Sequence, residues 1–260
     1  MSTFLHVPTS PPLSECIELF WLSERYAPGH PQERLMPSGA MNLVVSWDES
    51  GSIWTGVSGV QTKSMLLDTS APFNVFGVSF KPGGGFPFLP MPAGELQNLQ
   101  VPLEAVWSAA QARALSEELV EACTPVRKFH VIERALTAVV RNRFAPHPAV
   151  RYAVAALGHA SHLRSISSIV DRVGLSQRRF IELFRNEVGV TPKAYARVQR
   201  FQHVLASIEH ATEVDWTDVA LSCGYFDQAH FVHDFREFAG VTPSTYLRFR
   251  ASRNHVVVHD

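Results

Sequence analysis

With 260 residues, 46% hydrophobic and 18% charged, the chain suits two folded domains and is too apolar for a disordered tail. No apolar run approaches the ~18 residues of a spanning helix, and residues 1–12 lack the basic and apolar regions of a secretory leader. A net charge of −1 would argue against a nucleic-acid partner if the charge were evenly spread, and it is not.

Residues 14–24 fit an early helix, with Ser14 as N-cap and Ile17, Phe20 and Trp21 as its apolar stripe. Residues 41–47, 53–57 and 73–80 are short runs rich in β-branched and aromatic side chains, the pattern of strands. Asp48 to Gly51 lie between the first two as a hairpin turn. The aromatics on these strands either fill a core or line a small barrel, and Trp47, Trp54 and Phe76 are the candidate ligand contacts. Gly83, Gly84 and Gly85, followed by Pro87, Pro90 and Pro92, break any regular element. The glycines lack the Lys-Ser/Thr of a phosphate-binding loop. Residues 103–144 read as helical with a breaker at Thr124-Pro125, and residues 145–148 read as a linker. Residues 149–160 begin the next domain as its first helix.

Twelve histidines raise the question of a metal. His6, Cys16, His30 and Glu33 are the one loose cluster in the first half, and their spacing matches no zinc pattern. His255 and His259 flank three valines in a stretch that reads as a frayed tail. Cys16, Cys123 and Cys223 lack CxxC spacing and read as reduced thiols of a cytoplasmic protein. No catalytic set stands out, so no enzyme, metal or cofactor is expected.

Toward the C-terminus the chain repeats itself. Phe180, Phe184, Arg185, Gly189, Val190, Thr191, Pro192 and Tyr195 recur as Phe231, Phe235, Arg236, Gly240, Val241, Thr242, Pro243 and Tyr246, each at an offset of 51. Gly174 recurs as Gly224 at an offset of 50. Ahead of each glycine, Ile166, Ile169, Val170 and Val173 match Trp216, Val219, Ala220 and Cys223 at the i, i+3, i+4, i+7 spacing of one buried helix stripe. Helix, glycine turn and second helix, written twice, are two helix-turn-helix units. A helix from about residue 191 to 207 joins them. The Thr-Pro pairs read as N-caps with proline at the first helical position, whose free amides could also hold a phosphate.

These residues resemble the AraC/XylS-type bacterial transcription regulators over about 148–250. The resemblance rests on the Gly174-Leu175-Ser176 turn, the paired phenylalanines, the Gly-Val-Thr-Pro-x-x-Tyr closures, and the Ala220, Cys223, Gly224, Tyr225, Asp227, Gln228, Phe231 stretch. It implies two recognition helices entering successive major-groove segments of double-stranded DNA, and an N-terminal domain that senses a signal or dimerises. The first half is similar to the sensors of one group of such regulators, in Phe80-Lys-Pro-Gly-Gly84, in Pro92 to Leu96 and in Val106-Trp107. That likeness implies a small β-barrel followed by helices.

In each unit the paired phenylalanines face inward, being four apart on one stripe. The opposite face of the first helix carries Ser176, Gln177, Arg178, Ile181, Glu182 and Arg185, with Lys193 beyond it. That of the second carries Asp227, Gln228, Ala229, His230, Val232, His233 and Arg236. By family position Arg178, Ile181, Glu182, Gln228, Ala229, Val232 and His233 are the base readers. Arginine suits guanine, glutamine suits adenine, and glutamate accepts from cytosine. Glu182 either does this or orients Arg178 or Arg185. Arg185 and Arg236 suit phosphates or ion pairs. Residues 163–201 hold eight Lys/Arg against three acids and residues 202–250 three Arg against seven acids, so the first unit should supply most of the phosphate attraction. On this count Asp234 is expendable for binding.

The expected fold is α+β and multidomain: a β-rich, small barrel-like N-terminal domain with trailing helices, then an all-α domain with two helix-turn-helix units. The expected domains are 1–145 (β-rich to ~102, helical ~103–144), 146–252 and a tail at 253–260. The expected function is sequence-specific DNA binding in the cytoplasm, associated with the bacterial nucleoid when bound. Its expected partners are DNA, RNA polymerase, a small-molecule effector and a second copy as homodimer, with no membrane. The alternatives are a cupin-like metalloenzyme or a ligand-independent interaction module fused to a DNA-binding domain.

Overall fold

The computed structural model describes residues 3–7, 9–140, 145–158, 165–252 and 254–258. The N-terminal half carries β1 (Thr3–Val7), β2 (Ile17–Tyr26), β3 (Gln32–Leu35), β4 (Asn42–Asp48), β5 (Ile53–Ser58), β6 (Met65–Asp68), β7 (Phe73–Phe80) and β8 (Gln100–Pro102). Two helices follow, α1 (Ala109–Glu121) and α2 (Pro125–Val139). Ser108 caps α1 with a full capping box, and Thr124 caps α2 ahead of Pro125, the breaker expected there.

Six strands form one antiparallel sheet in the order β1-β2-β7-β4-β5-β8. Closure into a barrel would need the two outer strands to pair. Here β1 and β8 remain edges, while β3 and β6 leave for a second sheet, so the small barrel expected from the sequence is an open sheet. The hairpin between β4 and β5 turns at Gly51 (φ 85°), with Asp48 Oδ1 accepting from the Ser50 and Ser52 amides at 2.9 and 3.0 Å.

The helix expected at 14–24 is instead a single turn at Leu13–Glu15 followed by β2. Ile17, Phe20 and Trp21 satisfy a helical spacing, but β2 pairs on both sides, with β1 and β7. Phe20 and Leu22 then point to one face and Trp21 to the other. Trp21 lies so close over β7 that a Cβ on Gly77 would fall 2.0 Å from its ring. The opposite face is covered by α1 and α2. Phe129 packs 5.9 Å from Phe20 and 5.5 Å from Phe76, and Thr55 meets Ser116 at 2.7 Å.

The C-terminal half is helical: α3 (Pro148–Gly158), α4 (Ile166–Val173), α5 (Gln177–Val188), α6 (Pro192–Ser207), α7 (Trp216–Ser222), α8 (Gln228–Ala239) and α9 (Pro243–Phe249). It ends in two short strands, β9 (Arg250–Ser252) and β10 (His255–Val257). These complete the second sheet, ordered β6-β3-β10-β9. What the sequence presented as a frayed tail therefore pairs with β3, with Val256 opposite Arg34 and Val257 opposite Glu33. His259 and residues 141–144 and 159–164, parts of the expected tail and helices, lie outside the described residues. None of the described helices is long and apolar enough to cross a membrane.

Packing is continuous between the halves. Phe180, Phe184, Val188, Val190 and Tyr195 share one core with Phe20, Phe76 and Trp107. A second core joins Met36 and Val256 to Phe201, Phe231, Phe235, Phe238 and Tyr246.

Candidate nucleic-acid interface

Each helix-turn-helix unit is built the same way. Gly174 (φ 68°) and Gly224 (φ 77°) adopt the left-handed backbone that the turn after α4 and α7 requires. Ser176 caps α5, accepting from the Arg179 amide at 3.3 Å, and Asp227 caps α8, accepting from the His230 amide at 2.7 Å. Phe180 and Phe184 are fully buried with rings 5.9 Å apart, and Tyr195 closes on Phe184 at 5.7 Å. Phe231 and Phe235 repeat this at 5.7 Å, with Tyr246 at 5.6 Å from Phe235. Thr191 and Thr242 cap α6 and α9 ahead of their prolines.

Burying the phenylalanines turns the opposite helix faces outward. On α5, Gln177, Arg178, Glu182 and Arg185 are exposed and Ile181 is half-buried; Ser176 and Lys193 are exposed beside them. On α8, Gln228, Ala229, His230, His233 and Arg236 are exposed and Val232 is half-buried. Gln228, Ala229, Val232, His233 and Arg236 lie together on one outward side of α8. The carboxylate of Asp227 is engaged in its cap, and the His230 ring lies edge-on to Tyr225 at 5.3 Å.

The charges are arranged differently from the count along the chain. Glu182 pairs with Arg179 at 3.4 Å, one turn away, and not with Arg178 or Arg185. Arg197 of α6 is ion-paired with Asp234 and, at 2.6 Å, with Glu237, both on α8. The hydrogen bond from Arg197 holds the Glu237 carboxyl below its usual range. One cation of the first unit thus neutralises acids of the second, and the two units are less unlike than the sequence suggested. Among the described residues Arg178, Lys193 and Arg236 have no acidic partner. Arg185 packs against the N-terminal half, where a Cβ on Gly94 would lie 2.7 Å from its Cγ.

Sequence reasoning missed Phe226, which is 87% exposed immediately before the α8 cap. The signal was the adjacent pair Tyr225-Phe226. Tyr225 is buried against Phe231 at 5.3 Å, which leaves its neighbour outside.

The candidate ligand contacts do not converge. Trp47 and Phe76 share the face beneath α2, and Trp54, opposite Ser46, lies on the other. Phe76 is wholly buried, and Lys128 sits 4.7 Å over the Trp47 ring while donating to the Leu119 carbonyl at 2.6 Å. Trp54 lies close to Gly56, where a Cβ would fall 2.5 Å from its ring, at the surface.

Of the loose titratable cluster, the fold brings together His30 and Glu33 and adds His255 in place of His6 and Cys16. Glu33, 1% exposed, accepts from Tyr26 Oη at 2.6 Å and bonds His30 Nε2 and His255 Nδ1, each at 2.7 Å. Burial pushes its carboxyl up, yet the hydrogen bonds from Tyr26, His255 and His30 outweigh this and hold it below the ordinary value. Among the described residues no group of three His, Cys, Asp or Glu could hold a metal ion.

Residues 169–248 match the family described as "Helix-turn-helix domain", and residues 5–102 match "Domain of unknown function (DUF6597)". The chain is 30% identical over 88 residues to the XylDLEGF operon transcriptional activator 1 of Pseudomonas putida, a match covering 33% of this chain and 27% of that protein. It is 28% identical over 91 residues to the probable transcriptional regulator LumQ of Photobacterium leiognathi, covering 35% and 36%. The chain therefore spans about a third of the length of these curated relatives. A solved probable AraC family transcriptional regulator from Rhodopseudomonas palustris is 31% identical, over 39% of this chain and 96% of that one, with a TM-score of 0.35.

Proposed function

The chain belongs to the AraC/XylS family of transcription regulators, and on that premise we propose that it reads duplex DNA sequence-specifically, α5 and α8 entering two adjacent major-groove segments. The observation that carries this reading is the twice-built outward face: a capped helix held by two buried phenylalanines, with polar side chains facing solvent. The functional boundary lies at 145–146, ahead of α3. Arg178, exposed and without an acidic partner among the described residues, pairs with a guanine, and Gln228 with an adenine. Glu182 orients Arg179, as their 3.4 Å contact supports. Lys193 and Arg236 meet phosphates, and Phe226 packs on a sugar or a thymine methyl. Ser176 and Asp227 serve through their caps. The contact of α5 with the turn at Ala93–Leu96 is the route by which an effector in the N-terminal half gates binding.

Selection of the full chain on a randomised duplex pool at two salt concentrations tests this. Two enriched boxes are expected, with affinity falling steeply as salt rises. Arg178→Ala should relax one position and cost about 1–3 kcal/mol. Failure to enrich any sequence would overturn the reading.

A further inference from the structure

Gly189 and Gly240 are the same position of the repeat, the left-handed residue that ends each recognition helix, with φ of 100° and 69°. Both are touched by one short segment of the N-terminal half, the connection between β5 and β6, which buries Gly189 and leaves Gly240 exposed. At one end, a Cβ on Gly189 would lie 3.1 Å from Val60 Cγ2 and 3.4 Å from the Ala93 carbonyl. At the other, the Ser64 amide donates to the Phe238 carbonyl of α8 at 2.7 Å. That carbonyl belongs to the last turn of α8, where the helix supplies no partner of its own. A Cβ on Gly240 would lie 3.2 Å from Ser64 Oγ and 2.7 Å from Arg34 Nη1, and Arg34 in turn donates to Ser64 Oγ at 3.3 Å.

The segment is stiff. Val60 is buried, and its carbonyl accepts from the Asn98 amide at 3.1 Å. The Thr62 amide donates to Asn98 Oδ1 at 2.7 Å, and Gln61 Nε2 donates to the Gly59 and Leu99 carbonyls at 3.0 and 3.2 Å. Gly59 is pressed on Leu96, whose carbonyl oxygen would lie 1.8 Å from a Cβ there. Leu96 ends the same turn whose Gly94 meets Arg185 of α5. From Val60 to Ser64 the chain reaches at most about 14 Å when fully extended. With a contact at each end, this sets an upper bound on the separation of the two helix ends.

We infer that the segment from Gly59 to Ser64 is a rung that fixes the separation of the two recognition helices, so that Val60 and Ser64 are positioning residues for the spacing between DNA boxes. The inference rests on the DNA-reading function proposed above. The competing arrangement is that α6 alone sets the separation, the rung merely touching what is already fixed.

Two variants separate these: insertion of two glycines between Thr62 and Lys63, and Val60→Ala, which keeps the backbone contacts. Each is tested by selecting full-length protein on duplexes in which two fixed boxes are set at varied spacing. Wild type should prefer one spacing, and in both variants the ratio of best to next-best spacing should fall toward one while affinity for either box alone is unchanged. A DNA-free readout accompanies this. Spin labels on Gln177→Cys and Gln228→Cys, with Cys123 and Cys223 replaced by alanine, report the distance between the two helix starts. It should be narrow in wild type and shifted or broadened by the insertion. Should the insertion variant fail to fold, Val60→Ala carries both readouts. Unaltered distance and spacing profiles in folded variants overturn the rung. A changed distance without any DNA selection upholds the rung and overturns the DNA reading.

Discussion

Asp234 illustrates how far a residue's role depends on what the fold sets beside it. Along the chain it is one of seven acids in a repeat that should meet DNA, and its removal ought to be harmless or helpful. In the structure it is 2% exposed, ion-paired with Arg197 of α6, and its Oδ2 lacks a hydrogen-bond partner among the described residues. Removing one partner of a wholly buried pair costs about 3–5 kcal/mol because the other charge is stranded. Arg197 is one-third exposed and keeps Glu237, so Asp234→Ala should cost less, roughly 2–3 kcal/mol by the same argument. Urea unfolding measures this directly, and a stability equal to wild type would show that the pair contributes nothing. DNA affinity in the variant should fall only to the extent that folded protein is lost.

At the scale of elements, the same lesson applies to β10, three residues that reach back to β3 over a sequence separation of 222. Its docking is sealed by Glu33, which ties Tyr26, His30 and His255 together, and by Val258 and Met36 amides bonded to the Gln32 and Asn254 carbonyls at 3.2 and 2.8 Å. Glu33→Ala should therefore speed hydrogen exchange at the Val258 and Met36 amides while leaving amides in β4 and β7 protected. Because the folded Glu33 carboxyl lies below its ordinary value, its contribution is present above the unfolded pKa of about 4.3 and lost as pH falls through the folded value. Protection at these two amides should consequently collapse on acidification in wild type and be nearly pH-independent in the variant. The two helix-turn-helix units were legible in the sequence because the repeat writes each glycine turn, cap and phenylalanine pair twice. β2 was not, since Ile17, Phe20 and Trp21 satisfy a helical spacing while the alternation of a strand is carried by Phe20 and Leu22, and pairing on both sides decided the matter. The pairing of β10 and the ion pairs of Arg197 were illegible for a different reason, being contacts between segments far apart in sequence that no local pattern encodes.

At the scale of the whole molecule, the boundary proposed at 145–146 is not a boundary of the packing. Val190 and Tyr195 share a core with the sheet domain, and Met36 sits in the core of the second helix-turn-helix unit with Val256. The full chain should accordingly unfold in one transition. Four of its five tryptophans, Trp21, Trp47, Trp54 and Trp107, lie before the boundary, whereas the nine described helices α1–α9 lie mostly after it. Tryptophan fluorescence and far-ultraviolet circular dichroism thus report different halves, and their melting curves should coincide. Residues 146–260 alone lose the partners of Val190 and Val256 and the strand that pairs with β10. Re-exposing even two such side chains costs about 1.5–3 kcal/mol each, which for a domain of this size lowers the melting midpoint by on the order of 10 °C. A fragment as stable as the full chain, or two separated transitions in the intact protein, would mean that the halves merely touch. In that case the N-terminal half could not transmit a signal to the recognition helices through packing, and gating would have to act through dimerisation or DNA geometry instead.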